Sequence, residues 1–260
     1  MRLKAGLGAA LAAGLAAAAL AHAEDARARI ESVHSVLEYR SSELDAAAAQ
    51  GFARLADDGV VDVEALVAPG LPAWARRAGR VRFVVSDEID ISRTWGRTVV
   101  LPLARVRTRS APYLHETVHA LVPARGDRTW LSEGLAAYLE SYVAETRRGY
   151  DAHVFTRAGD AGIHAEARRT LATAAGRAVL PWVGATGSPP RLEQDREGVA
   201  RPFYVLSQSL AKYVVEASGL PAVVRALVAG DAGALEAQTG RGETAWRESW
   251  LASLGVGASR

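Results

Sequence analysis

Apolar positions recur along the chain with two different periods. Ile30, Val33, Val36, Leu37 and Leu44 alternate with charged residues, and their spacing predicts a helix from Glu24 to about Ala56, which Gly51 divides. Asp57-Asp58-Gly59 reads as a turn, and Leu66 to Pro72, with two prolines and a glycine, as a loop. The β-branched and aromatic runs Arg80–Val85 and Arg97–Leu101 predict two strands joined by a polar connection, Ser86 to Trp95. Pro102 ends the second strand. It suits an edge strand, where a missing ladder N–H is tolerated, and equally the end of an internal one. Helical spacing returns at Leu114, Val118, Leu121 and Val122, with Ser110 as N-cap, Pro112 in the first turn and Pro123 as the stop. A second helix runs from Thr129 to about Arg148, with Leu131, Leu135, Tyr138 and Tyr142 on its core side. Further helices are predicted over Glu166–Gly176, Pro202–Gly219, Ala222–Leu227 and Asp231–Gln238, and a last one carries Trp246 and Trp250 as a packing stripe. The fold class is therefore α+β and mostly helical. One domain is expected from residue 24 to 260, with a sheet-containing part at about 57–123 and a helical part at about 124–260.

The first 23 residues form a different segment. Arg2 and Lys4 precede an unbroken Ala/Leu/Gly run, and Ala21-His22-Ala23 has the small-x-small form of a cleavage site. This predicts a secretory signal peptide at residues 1–23 and a secreted or periplasmic location; an uncleaved anchor is the alternative reading. No other stretch is apolar enough to span a bilayer. Lys+Arg number 31 against 29 Asp+Glu, and both surplus cations lie in the leader, so the rest of the chain is balanced. Arginines are scattered among acids, which gives no footprint for nucleic acid. The absence of cysteine removes disulfides and thiolate ligands, so stability must come from the core.

Within the helix that begins near Ser110, the chain reads His115-Glu116-Thr117-Val118-His119. Histidines at i and i+4 leave one face of a helix together, so both imidazoles can reach one metal ion. Glu116 lies about a quarter turn round, placed for a water at the metal rather than for the metal. A catalytic zinc site needs three protein ligands and an open position. Glu133, in Trp130-Leu131-Ser132-Glu133-Gly134-Leu135-Ala136, is the candidate third ligand; its other reading is a solvated glutamate. Small flanks at Gly134 and Ala136-Ala137 would let its helix approach the first closely. Glu140, two turns on, is either a partner to an imidazole N–H or solvated. His34, His153 and His164 have no ligand-spaced partner.

H-E-x-x-H, a short loop and then W-L-S-E-G-L-A-A-Y resembles the gluzincin metallopeptidases, in particular small bacterial members of the thermolysin and aminopeptidase-like zincin superfamily. Thirteen residues separate His119 from Glu133, fewer than in the best-known members. The specific likeness covers about Tyr113 to Glu140, and a weaker one extends past Pro202. It implies a zincin-like fold, Zn2+ held by His115, His119 and Glu133, and Glu116 as general base. It also implies an edge strand that pairs with extended substrate, and a tyrosine on a later helix that stabilises the oxyanion. Tyr204 fits that role, because it shares the face of Ser207 and Gln208 rather than the core stripe of Phe203, Leu206, Leu210 and Tyr213; packing at a lobe boundary is its other reading. The implied function is an exported zinc metallopeptidase acting on peptides or proteins. An endopeptidase is favoured, since no Gly-x-Met-Glu-Asn stretch occurs between Ile89 and Leu103. Two other classes stay open: a non-catalytic zinc-binding envelope protein, and a hydrolase of a non-peptide amide in the cell wall.

Overall fold

The structure is a computed structural model that describes residues 27–145 and 159–256. The leader, His153 and the expected end of the second ligand helix near Arg148 lie outside the described residues. The chain is α+β, with a small mixed sheet and several helices. Among the described residues no helix is long and apolar enough to cross a membrane.

The sheet begins earlier than the pattern predicts. Strands β1 (Arg27–Glu31) and β2 (Ser35–Arg40) form an antiparallel hairpin where a helix is expected. Five apolar residues fit either period, and Val33, which the helical stripe would bury, is 74% exposed at the hairpin turn. Helix α1 (Ala46–Val67) starts only after Asp45, whose carboxylate accepts from Ala48 N at 2.8 Å. It passes straight through Gly51 and through the expected turn at Asp57-Asp58-Gly59. Asp57 instead reaches back to the hairpin and accepts from His34 N and Ser35 Oγ, each at 2.9 Å.

Strands β3 (Val81–Ser86), β4 (Arg93–Trp95) and β5 (Thr98–Pro102) complete a sheet of order β1-β2-β3-β5-β4. β5 runs parallel to β3 and antiparallel to β4. The strand that ends at Pro102 is thus internal. The edge belongs to β4, which falls in the expected polar connection.

Helix α1 packs against the sheet and against helix α2 (Tyr113–Leu121). Gly59 makes that close: a Cβ there would lie 2.8 Å from the Tyr113 ring. Helices α3 (Thr129–Ala144), α4 (Ile163–Leu171), α5 (Arg201–Ser218), α6 (Leu220–Ala229) and α7 (Glu243–Ser253), with shorter helical pieces such as Ala234–Thr239, build the rest, with α3 and α5 the most extensive helix pair. On α3, Leu131, Leu135 and Tyr138 are buried as expected, but Tyr142 is exposed. On α7, Trp246 and Trp250 are buried, and Trp250 Nε1 donates to Ser209 Oγ at 2.9 Å.

Candidate metal centre

Helix α2 starts at Tyr113, with Pro112 in the cap position and no side-chain cap; Ser110 does not cap it. Its missing side-chain cap is offset by burial, since all of α2 except His119 is buried. Val122 turns to extended backbone before Pro123, which ends the helix as the sequence predicts. The following loop is tied to the C-terminal helices. Arg125 N donates to Leu227 O at 3.0 Å, and buried Arg128 pairs with Glu243 and donates to Asp231 O. These ties fix the angle at which α3 returns past α2.

Gly134 works differently from the expectation. A Cβ there would sit 2.3 Å from Ser207 O, so this glycine seats α3 against α5, not against α2. Gln208 continues the seam by donating to Ala137 O at 3.0 Å and Ser141 Oγ at 2.7 Å. Ser207 and Gln208 are buried there. Their face is therefore helix contact rather than cleft wall, and Tyr204 alone, at the N-terminal end of α5, reaches the cleft.

His115, His119 and Glu133 converge. His115 Nε2 lies 3.1 Å from His119 Nε2 and 3.1 Å from Glu133 Oε2, and His119 Nε2 lies 3.4 Å from Glu133 Oε2. A tetrahedral zinc with bonds of about 2.0–2.2 Å sets its donors roughly 3.3 Å apart, so the triangle has the size the ion requires. Hydrogen bonds alone explain it poorly. Three edges would need three protons, whereas a carboxylate brings none and each Nε2 at most one. Among the described residues this is the only group of His, Asp and Glu side chains with metal-binding spacing.

The electrostatics reflect the same crowding. Burial disfavours a charged His119, but the facing Glu133 carboxylate outweighs it and, with Glu116, pushes the pKa up to about 9. Burial also opposes ionisation of Glu133, yet the charge on His119 and hydrogen bonds from both imidazoles hold its carboxyl well below the usual range. The Tyr204 phenol is hydrogen-bonded to Glu133. Burial first, then the Glu133 charge, raises its pKa well above the ordinary value, so it stays neutral and able to donate. Its ring lies 5.9 Å from the His115 ring.

Three supporting groups complete the site. Thr94 Oγ1, on edge strand β4, donates to Glu116 Oε2 at 2.6 Å and fixes that carboxylate beside the histidines. Ser132 Oγ is 3.4 Å from His119 Nδ1. Glu140 is buried rather than solvated, and its Oε2 is 4.0 Å from His115 Nδ1. Ser132 thus stands behind the outer nitrogen of His119, and the Glu140 carboxylate faces that of His115, which is buried without a hydrogen bond at this distance; such groups orient metal-binding imidazoles. Sequence reasoning missed Thr94 and Ser132. Alternation around Arg93-Thr94-Trp95-Gly96 is a hairpin signal that would have found the first; nothing local marks the second. His34 donates its backbone N–H to Asp57, and His164 Nδ1 sits 2.8 Å from Ser209 Oγ; neither is part of the triangle.

The site opens into a cleft of about 780 Å³ between the β4–β5 hairpin and helix α2. His115, Glu116, His119, Glu133 and Tyr204 all line it, so five residues singled out from the sequence share one concavity. Comparison with models of known protein families and with curated proteins finds no match.

Proposed function

We propose that the protein is a zinc metallopeptidase of the gluzincin type, exported from the cell, that cleaves within peptide or protein chains. The observation that carries this reading is the His115–His119–Glu133 triangle with the Glu116 carboxylate beside it in an open cleft. Two neutral imidazoles and one carboxylate suit Zn2+ and leave a coordination position for the reaction. When bound, zinc supplies a Lewis acid that polarises the scissile carbonyl and makes water acidic enough to attack near neutral pH.

The chain's own groups do the rest. Glu116, held by Thr94, accepts the proton of the attacking water and passes it to the departing amine. The Tyr204 hydroxyl, now bonded to Glu133, is in reach of the oxyanion and donates to it as charge develops. Strand β4 has a partner only on its β5 side, so its outer backbone groups are free to align an extended peptide. An intact general base argues for catalysis over a purely structural metal site, because a scaffold needs only the ligands.

The test combines metal content with a digest of a broad peptide library. Wild-type protein is expected to carry about one zinc and to cleave peptides, as expected of such a site. His119→Ala should lose the metal. Glu116→Gln should keep it and lose about 10²–10⁴-fold in rate, since an amide cannot take the proton. Equal zinc in wild type and His119→Ala would overturn the ligand set. Zinc without peptide cleavage would leave a binding role or a non-peptide amide.

A further inference from the structure

Several arginines of this fold are paired. Arg128 meets Glu243, Arg82 meets Glu38, and Arg40 meets Glu43. Arg97 is not. It is half-buried in the wall of the cleft, its Nε is sealed from water without a hydrogen-bond partner, and it forms no ion pair among the described residues. Burial pushes its guanidinium pKa below the ordinary value, and the charge of Glu64 on α1 offsets only part of that. A buried N–H without an acceptor costs stability, and a ligand that orders the guanidinium can supply one.

Its setting fits an anion. Among the described residues lining the cleft, Arg93 and Arg97 are the only arginines, and both belong to the β4–β5 hairpin that borders Glu116. Trp74, Ile91 and Trp95 line the same cleft, half exposed, and lower the local dielectric. Arg125 lies over the Trp74 ring, 5.4 Å from its centroid. Of the three carboxylates that line the cleft among the described residues, Glu116 and Glu133 are held by Thr94 and by the histidines, and Glu193 stands with them near Tyr204.

Resting on the peptidase reading, we propose that Arg97 determines specificity by binding a carboxylate of the peptide substrate, either its C-terminus or an Asp or Glu side chain. The planar guanidinium fork matches a carboxylate with two parallel N–H···O bonds.

Zinc-loaded Glu116→Gln protein, which binds without turnover, is titrated with three short acetylated alanine peptides, followed by tryptophan fluorescence. One has a free C-terminus, one is amidated with a single glutamate, and one is amidated and neutral. At least one carboxylate peptide should bind about tenfold more tightly than the neutral one, and which of them does so identifies the source. Adding Arg97→Gln should abolish the preference without lowering the melting temperature, and Arg97→Lys should keep part of the preference. Equal binding of all three peptides, no binding of any, or a preference that survives Arg97→Gln overturns the proposal. The titrations are repeated without zinc. An Arg97-dependent preference in protein that fails to take up zinc would sink the metal reading and leave this one standing.

Discussion

Gly134→Ala tests whether the α3–α5 seam positions the metal centre. The added Cβ would fall 2.3 Å from Ser207 O, 2.6 Å from Ser207 C and 3.1 Å from the Ala211 Cβ. The first two atoms are backbone, so no rotamer change relieves the clash; the helices must part. Alanine gains about 1 kcal/mol over glycine in a helix interior, while overpacking a close seam costs about 1–3 kcal/mol. A backbone obstacle puts the cost at the upper end, so a net loss of about 1–2 kcal/mol is expected. Two other helical glycines calibrate this. Gly51 has nothing within 4 Å of an added Cβ, so Gly51→Ala should stabilise by up to about 1 kcal/mol. Gly59→Ala meets the buried Tyr113 ring at 2.8 Å and Leu114 Cδ2 at 3.0 Å, side chains rather than backbone, and should fall between the two. Urea denaturation with EDTA present gives the three stabilities. Because Glu133 immediately precedes Gly134, parting the helices also displaces a donor, and zinc affinity should drop about tenfold in Gly134→Ala alone. If Gly134→Ala is stabilised as much as Gly51→Ala, the close seam is refuted.

Tyr204→Phe should lower kcat about 10²-fold with zinc content and melting temperature unchanged, because only the hydroxyl is lost; an unaltered kcat in steady-state assays would exclude the oxyanion role. Glu140→Gln should weaken zinc about 10–100-fold in a chelator competition, since it removes the charge behind His115 Nδ1. The metal-free protein should be most stable between about pH 4.5 and 6.5. His119, raised to about 9 by Glu133 against burial, contributes fully below 6.5 and loses its contribution as pH climbs through 9. Glu133, depressed by His119 and the imidazole hydrogen bonds, contributes above 4.5 and loses it in acid. Zinc must displace the His119 proton, so affinity should rise from pH 7 toward 9, with a proton released that calorimetry in two buffers detects; affinity flat across that range would contradict the pair.

Local spacing determined the parts of the site that lie on one element. The i, i+4 histidines share a helix face whatever surrounds them, and Pro123 stops that helix because it cannot continue the hydrogen-bond ladder. The apolar stripe of Leu131, Leu135 and Tyr138 and the Trp246–Trp250 pair were legible for the same reason: a helix's own period fixes which side chains share a face. Tertiary structure decided what each face meets. It made strands of residues 27–31 and 35–40, where β2 pairs with both β1 and β3 and Leu37 is buried. It carried α1 through Asp57-Asp58-Gly59, where Asp57 finds donors on the hairpin and Gly59 admits Tyr113. It buried Glu140 and Gln208, which sequence leaves to solvent or the cleft, and it brought Thr94 from an edge strand onto Glu116. Such contacts join residues far apart in the chain. Their free energy depends on which surfaces approach, and no period within a single element records that.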